Sequence, residues 1–219
     1  MKEELQILVQ AQYPLIYLVT SEEERAEQAI ATIAQAKPQR RMFVWTVTHG
    51  IVEYGQPRSV TQHNTVSPEA AVEWVIRHKD PGIYVFKDLH PFVDSPAVTR
   101  WLRDAIASFK EAQKTIVLMS PVQQVPIELE KEVVVLDYPL PTMAELNQVL
   151  SSHLDQSRSR RITTETREKL LKAALGLTRD EAERVYRKSQ VTAGRLTEEE
   201  VEIVLSEKKQ LIRRNGILE

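Results

Sequence analysis

The sequence predicts an α/β core with a five-stranded, mostly parallel sheet carrying helices on both faces, followed by a C-terminal helical lid. Three observations predict this. Apolar runs of strand length alternate with capped amphipathic segments as far as Pro141. The runs are apolar throughout rather than at every second residue, as strands buried on both faces require. After Pro141 only helix formers and charge remain. The expected division is therefore an α/β core over residues 1–140 and a lid, with the start of a linker, over 141–219.

The elements follow in order. Residues 3–11 read as a short helix with Leu5, Leu8 and Val9 on one face, stopped by Tyr13-Pro14, because a residue before proline is biased away from the helical region. "PLIYLVT" is the first strand. In "SEEERAEQAIATIAQA", Ala26, Ala29, Ile30 and Ile33 have helical spacing, and Ser21 with Glu24 has the form of a capping box. "RMFVWTV" is a strand, "SPEAAVEWVIRHK" a helix capped at Ser67 with proline at its first position, and "GIYVFKD" another buried strand. "SPAVTRWLRDAIASFKEAQ" is again a helix. "KTIVLMS" and "KEVVVLDYPLP" complete the sheet, the last strand ended by its prolines. Residues 48–65, with turns at Gly50 and Gly55, read as a loop or small hairpin at the sheet edge. Lid helices are expected over 143–154, 164–175, 178–190 and 197–214. Thr178 with Glu181 and Thr197 with Glu200 form capping boxes, Gly176 and Gly194 are C-caps, and 156–161 is a basic linker.

Composition narrows the function classes. Across 219 residues the net charge is -2, with 42% hydrophobic and 27% charged residues, an ordinary balance for a globular protein with no overall pull toward nucleic acid or anionic lipid. The absence of cysteine excludes disulfides, thiolate catalysis and cysteine metal sites. No run approaches the roughly 18 apolar residues of a membrane helix. The N-terminal apolar stretch is interrupted by Glu3, Glu4 and Gln10–Gln12 and has no small-residue cleavage site. The five histidines show no metal-ligand spacing, and surface positions are expected for them. Trp45, Trp74 and Trp101 fall on core-facing positions.

The turn after the first strand, "TSEEE", is the most informative stretch. A phosphate-binding loop there needs glycines so that backbone N–H groups can wrap a phosphate, a lysine for the outer phosphates, and a Ser or Thr for magnesium. All six glycines lie elsewhere, and no lysine occurs between Lys2 and Lys37. Glu22, Glu23 and Glu24 are expected in the first helical turn, where carboxylates complement the macrodipole that a phosphate would otherwise exploit. A different arrangement is an acidic magnesium pocket. Glu22 and Glu23 after strand one, Asp88 after strand three and Ser120 after strand four sit where a phosphoacceptor receiver places its acids and hydroxyl. The receiver's strand-five lysine is missing, since this chain has "LDYPLP" there.

Several strings resemble landmarks of the AAA-type ATPase module. "GIYVFKDLH" is similar to its strand ending in a magnesium-binding acid, with Asp88 at the acid position. "KTIVLMSP" resembles the first-sensor strand, with Ser120 where an asparagine is common. "VPIELEKEVVVLDYPLPTMAEL" resembles the passage into the fifth strand and lid, and "KLLKAALGLTRDEAERVYRKS" the later lid helices. More closely, the whole chain resembles the N-terminal half of the conserved-reading-frame AAA ATPase family of cyanobacteria and red-algal chloroplast genomes. The resemblance implies a degenerate module with no nucleotide cofactor, catalytic residue or metal of its own, in which Ser21, Glu22, Glu23, Asp88 and Ser120 are vestigial positions. The second acid that would polarise an attacking water is replaced by Leu89, and "ELEKE" offers no arginine finger. It further implies an intact ATPase module, using ATP and magnesium, further along the full-length protein. The cytoplasm of a cyanobacterium or the chloroplast stroma is the expected location. That module is the expected partner, with a homo-oligomer or a further recruited protein besides, and the charged lid helix bearing Arg179, Arg184, Arg187 and Lys188 is the expected interaction surface.

Overall fold

The computed structural model describes residues 2–37, 40–109, 112–153, 162–193 and 199–214. The chain divides into two compact units, Met1–Pro139 and Leu140–Glu219. In the first, the elements run α1 (Lys2–Gln10), β1 (Leu15–Val19), α2 (Glu23–Gln35), β2 (Arg41–Thr46), β3 (Gly50–Glu53), α3 (Pro68–Arg77), β4 (Gly82–Lys87), α4 (Pro96–Phe109), β5 (Lys114–Ser120) and β6 (Val134–Asp137). They form one six-stranded sheet in the order β3-β2-β4-β5-β1-β6. The sheet is parallel except at β2–β3, which are antiparallel in the register Phe43↔Glu53 to Thr46↔Gly50.

The continuous apolar runs are explained by the two faces of this sheet. Successive side chains of a strand point to opposite sides. Ile16, Leu18, Ile83, Val85, Val117 and Met119 therefore join Leu5 and Val9 of α1 and Ala26 and Ile30 of α2 in one core. Their neighbours Leu15, Tyr17, Tyr84, Phe86, Ile116 and Leu118 join Val72 and Val75 of α3 and Leu102 and Ile106 of α4 in the other. A strand with only one face buried would alternate. These do not.

The sheet has six strands where five are expected. β3 was legible only as part of an edge hairpin, because four residues opening on a glycine carry too little periodicity to separate strand from loop. Gly50 has φ 69, and a Cβ there would lie 2.6 Å from Thr65 Oγ1. Both facts demand glycine at this turn. Thr65 fastens the segment: its hydroxyl accepts from the Ile51 N–H at 2.9 Å, and its carbonyl accepts from Trp45 Nε1 at 2.7 Å.

The second unit holds α5 (Met143–His153), α6 (Thr164–Ala174), α7 (Arg179–Ala193) and α8 (Glu199–Arg214) around Leu146, Leu150, Leu170, Leu171, Tyr186 and Val204. The Thr178 capping box forms: the Thr178 N–H donates to Glu181 Oε2 at 2.9 Å, and the Glu181 N–H to Thr178 Oγ1 at 3.2 Å. Thr142 and Glu145 make the same exchange at the start of α5. Gly176 follows α6 with φ 88, as a C-cap glycine should. The expected linker at 156–161, the cap at Gly194 and Thr197 of the second box lie outside the described residues.

Candidate functional site

The positions to be tested stand at the C-terminal ends of β1, β4 and β5, which are neighbours in the sheet. At the end of β1 the capping expectation is corrected. Helix α2 begins at Glu23, its N-cap is Glu22, and no side chain caps it. Ser21 is exposed and makes no box with Glu24. The reason is local. Thr20 Oγ1 accepts from the Glu22 N–H at 2.9 Å, tightening the turn one residue earlier, so only Glu23 and Glu24 enter the first helical turn.

The glutamates are then distributed between two cations. Glu22 is buried, and its Oε2 lies 2.5 Å from Arg25 Nη2, one helical step away. Arg25 is equally buried, donates to the Pro139 carbonyl, and stacks 4.5 Å from the centre of the Tyr138 ring. Glu23 instead faces Lys87 at the end of β4, Nζ to Oε2 2.9 Å, and Glu27 pairs with the same ammonium. Burial opposes the charge on Lys87, but hydrogen bonds to Glu27 and Glu23 outweigh it and hold its pKa above the ordinary value. Lys87 thus bridges β4 and α2 in one wall of a cleft of about 420 Å³, whose other wall is the β2–β3 hairpin.

Asp88 is placed differently. It sits at φ 50, in the left-handed region, with its N–H donating to the Met119 carbonyl at 2.9 Å and its side chain 53% exposed. Leu89, where a water-polarising acid would stand, is buried in the core. Ser120 is buried, and its hydroxyl meets His90 Nδ1 at 2.8 Å and donates to the Val122 carbonyl at 3.0 Å. Asp88 Oδ1 lies 3.9 Å from that same His90 nitrogen. Serine and aspartate therefore address one ring atom, whereas a nucleophile relay needs them on opposite nitrogens.

Of the sequence-predicted positions, the structure brings Asp88 and Ser120 together around His90, and it turns Glu22 and Glu23 toward separate cations. Among the described residues no group of three or more histidines and carboxylates could hold a metal ion. Sequence reasoning missed Arg25, Lys87 and Tyr138. The i, i+3 spacing of Glu22 and Arg25 was the available signal for the first, and nothing local announced the other two. On α7, Arg179, Arg184, Arg187 and Lys188 are all accessible at the surface; Arg187 pairs with Glu183 and Lys188 with Glu207, each at 2.6 Å. The histidine expectation is corrected at His78, which is half-buried and stacks on Trp74 with ring centres 4.3 Å apart.

Two family models together cover most of the chain. The model for the SpoVK-like AAA ATPase N-terminal domain matches residues 1–138, and that for the second domain of the same family matches 144–215. The AAA domain-containing protein ycf46 of Trieres chinensis is 31% identical over 99% of this chain and 43% of its own length; that of Guillardia theta is 29% identical over 99% and 42%. The chain thus spans less than half the length of these relatives. Among solved structures, a chain of the Escherichia coli MS115-1 HORMA:CdnC:Trip13 complex superimposes with a TM-score of 0.65 at 12% identity, covering 97% of this chain and 86% of its own. A point variant of Thermotoga maritima RuvB superimposes at 0.57 and 15%, covering 94% and 67%. At such identities these two show the fold alone. No described helix is long and apolar enough to cross a membrane.

Proposed function

We propose a non-catalytic role for this chain, which belongs to the SpoVK-like AAA ATPase family. It scaffolds, docks or regulates an ATPase module carried by the remaining length of the full protein, and it contributes no nucleotide chemistry. The observation that carries this reading is the buried Glu22–Arg25 pair in the turn where a nucleotide-binding module presents free backbone donors and a lysine. Ser21, Glu22, Glu23, Asp88 and Ser120 are vestigial positions on this account. ATP and magnesium belong to the other module, and the protein works in the cytoplasm or the chloroplast stroma of a photosynthetic organism, where partner recruitment is a further task.

The docking surface is the α7 face bearing Arg179, Arg184, Arg187 and Lys188. Exposed charge favours encounter with a complementary surface more than it adds affinity, so it suits a module that must find its partner in one orientation. Reversal of Arg184, Arg187 and Lys188 together to glutamate should weaken association with the C-terminal part of the full-length protein and reduce the salt dependence of the association rate. Unchanged binding and unchanged salt dependence in the triple variant would remove α7 from the docking role.

A further inference from the structure

The groups around Arg25 converge from both ends of the α/β unit's chain. Strand β6 ends at Asp137, and the Tyr138 N–H still donates to the Val19 carbonyl at 2.9 Å. Beyond that the ladder stops, because Pro139 has no N–H to donate. Its carbonyl has no strand donor as the chain departs through Leu140 and Pro141, and because Pro139 itself is exposed, a donor from the buried Arg25 fixes where that carbonyl sits. Arg25 supplies the donor. Tyr138 closes the loop in the other direction: its hydroxyl donates to the Arg25 carbonyl at 3.1 Å, and its ring carries the guanidinium on its face at 4.5 Å. Glu22 neutralises the cation at 2.5 Å.

From this geometry we infer that Arg25 is a latch that fixes the point at which the chain leaves the α/β unit, tying Pro139 to the first turn of α2 by the protein's own groups. Guanidinium is suited to it. Nη2 reaches both the Glu22 carboxylate and the Pro139 carbonyl while the guanidinium plane lies over the Tyr138 ring, and an ammonium has no plane to lay there. The inference holds whether or not the full-length protein hydrolyses ATP, since every group in it belongs to this unit.

The chain's lack of cysteine makes a direct test simple, because a single introduced thiol can carry a nitroxide. One label is placed through Leu140→Cys, just past the latch, and a control through Thr32→Cys, an exposed position on α2. In the parent the label at 140 should give the broad spectrum of an ordered site. In Arg25→Met its mobile fraction should rise severalfold while the label at 32 does not change. Tyr138→Phe, which removes only the hydroxyl bond, should give a smaller rise at 140. An unchanged spectrum at 140 in folded Arg25→Met would overturn the latch. Equal loosening of both labels would overturn it too, by showing that Arg25 supports the whole unit without singling out its exit. Should Arg25→Met not fold, Arg25→Gln, which stays polar but lacks the cation and its reach, is read by the same two outcomes.

Discussion

The turn after β1 and the turn after β4 lie on the same edge of one sheet and both carry acids, yet they are built in opposite ways. After β1, Glu22 and Arg25 are each 9% exposed and neutralise one another within a mesh of ring and carbonyl contacts. After β4, Asp88 is largely exposed and held by its backbone, with His90 3.9 Å away. The contrast teaches which half of a phosphate site is missing. An acid at a strand end is cheap to keep, because water solvates it. The donor half must present free N–H groups and a cation at a helix start, and here the helix start is occupied by an ion pair facing inward. The acid without the donors can do little with a triphosphate.

Substitution should reveal the contrast as a difference in stability. Glu22→Ala leaves the Arg25 charge buried without its carboxylate, a change that costs about 3 kcal/mol in comparable buried pairs. Urea melts of the variant should show that loss. A cost below roughly 1 kcal/mol, the value for a surface pair, would make the two turns alike. Asp88→Gly should move stability by no more than about 1 kcal/mol in either direction. Glycine relieves the left-handed conformation, which costs other residues about 1 kcal/mol, but it also loosens the unfolded chain. A large loss at Asp88 would show that its carboxylate is embedded in the structure after all.

The smallest effect is expected at the opposite end of the strands. Burial against Trp74 and Phe43 disfavours the charged form of His78 and places its pKa below the ordinary 6.5, with Asp80 acting against the shift and Arg41 and Lys114 with it. The folded state then binds fewer protons here than the unfolded chain. The stability this provides is present above pH 6.5 and is lost as pH falls through the folded-state value. Melts at about pH 7.5 and about pH 5.5 should show a loss that His78→Gln removes and Asp88→Gly leaves in place. If the Asp88 variant removed it, the pH response would belong to the strand ends that face the cleft.

Much of this architecture was readable in advance. Runs such as "LIYLV" and "GIYVFK" are buried at every position but the last because each feeds two cores, and their nearly continuous apolar pattern needs no tertiary knowledge to interpret. The lid helices carried their boundaries in Thr178, Glu181 and Gly176. What stayed hidden depended on partners far along the chain. The bond from Tyr138 to Arg25 spans 113 residues, and Lys87 meets Glu23 and Glu27 only because β4 and α2 are brought side by side. The Ser21–Glu24 box failed for a nearer reason, since the helix starts one residue later than it requires, with Glu22 at the N-cap and its N–H turned back to Thr20. The missing phosphate loop was plain from composition, whereas the inward-facing arginine in its place required the fold.

On the proposed reading this chain carries AAA architecture without a nucleotide site. Titration calorimetry of the chain with ATP and magnesium tests it most directly. No saturable heat is expected at submillimolar nucleotide, and only a negligible thermal shift, because ligand stabilises a fold only when present well above its dissociation constant. Micromolar binding that disappears in Asp88→Ala would contradict it, and would place a working magnesium and phosphate site at the edge of the cleft beside Glu23 and Lys87.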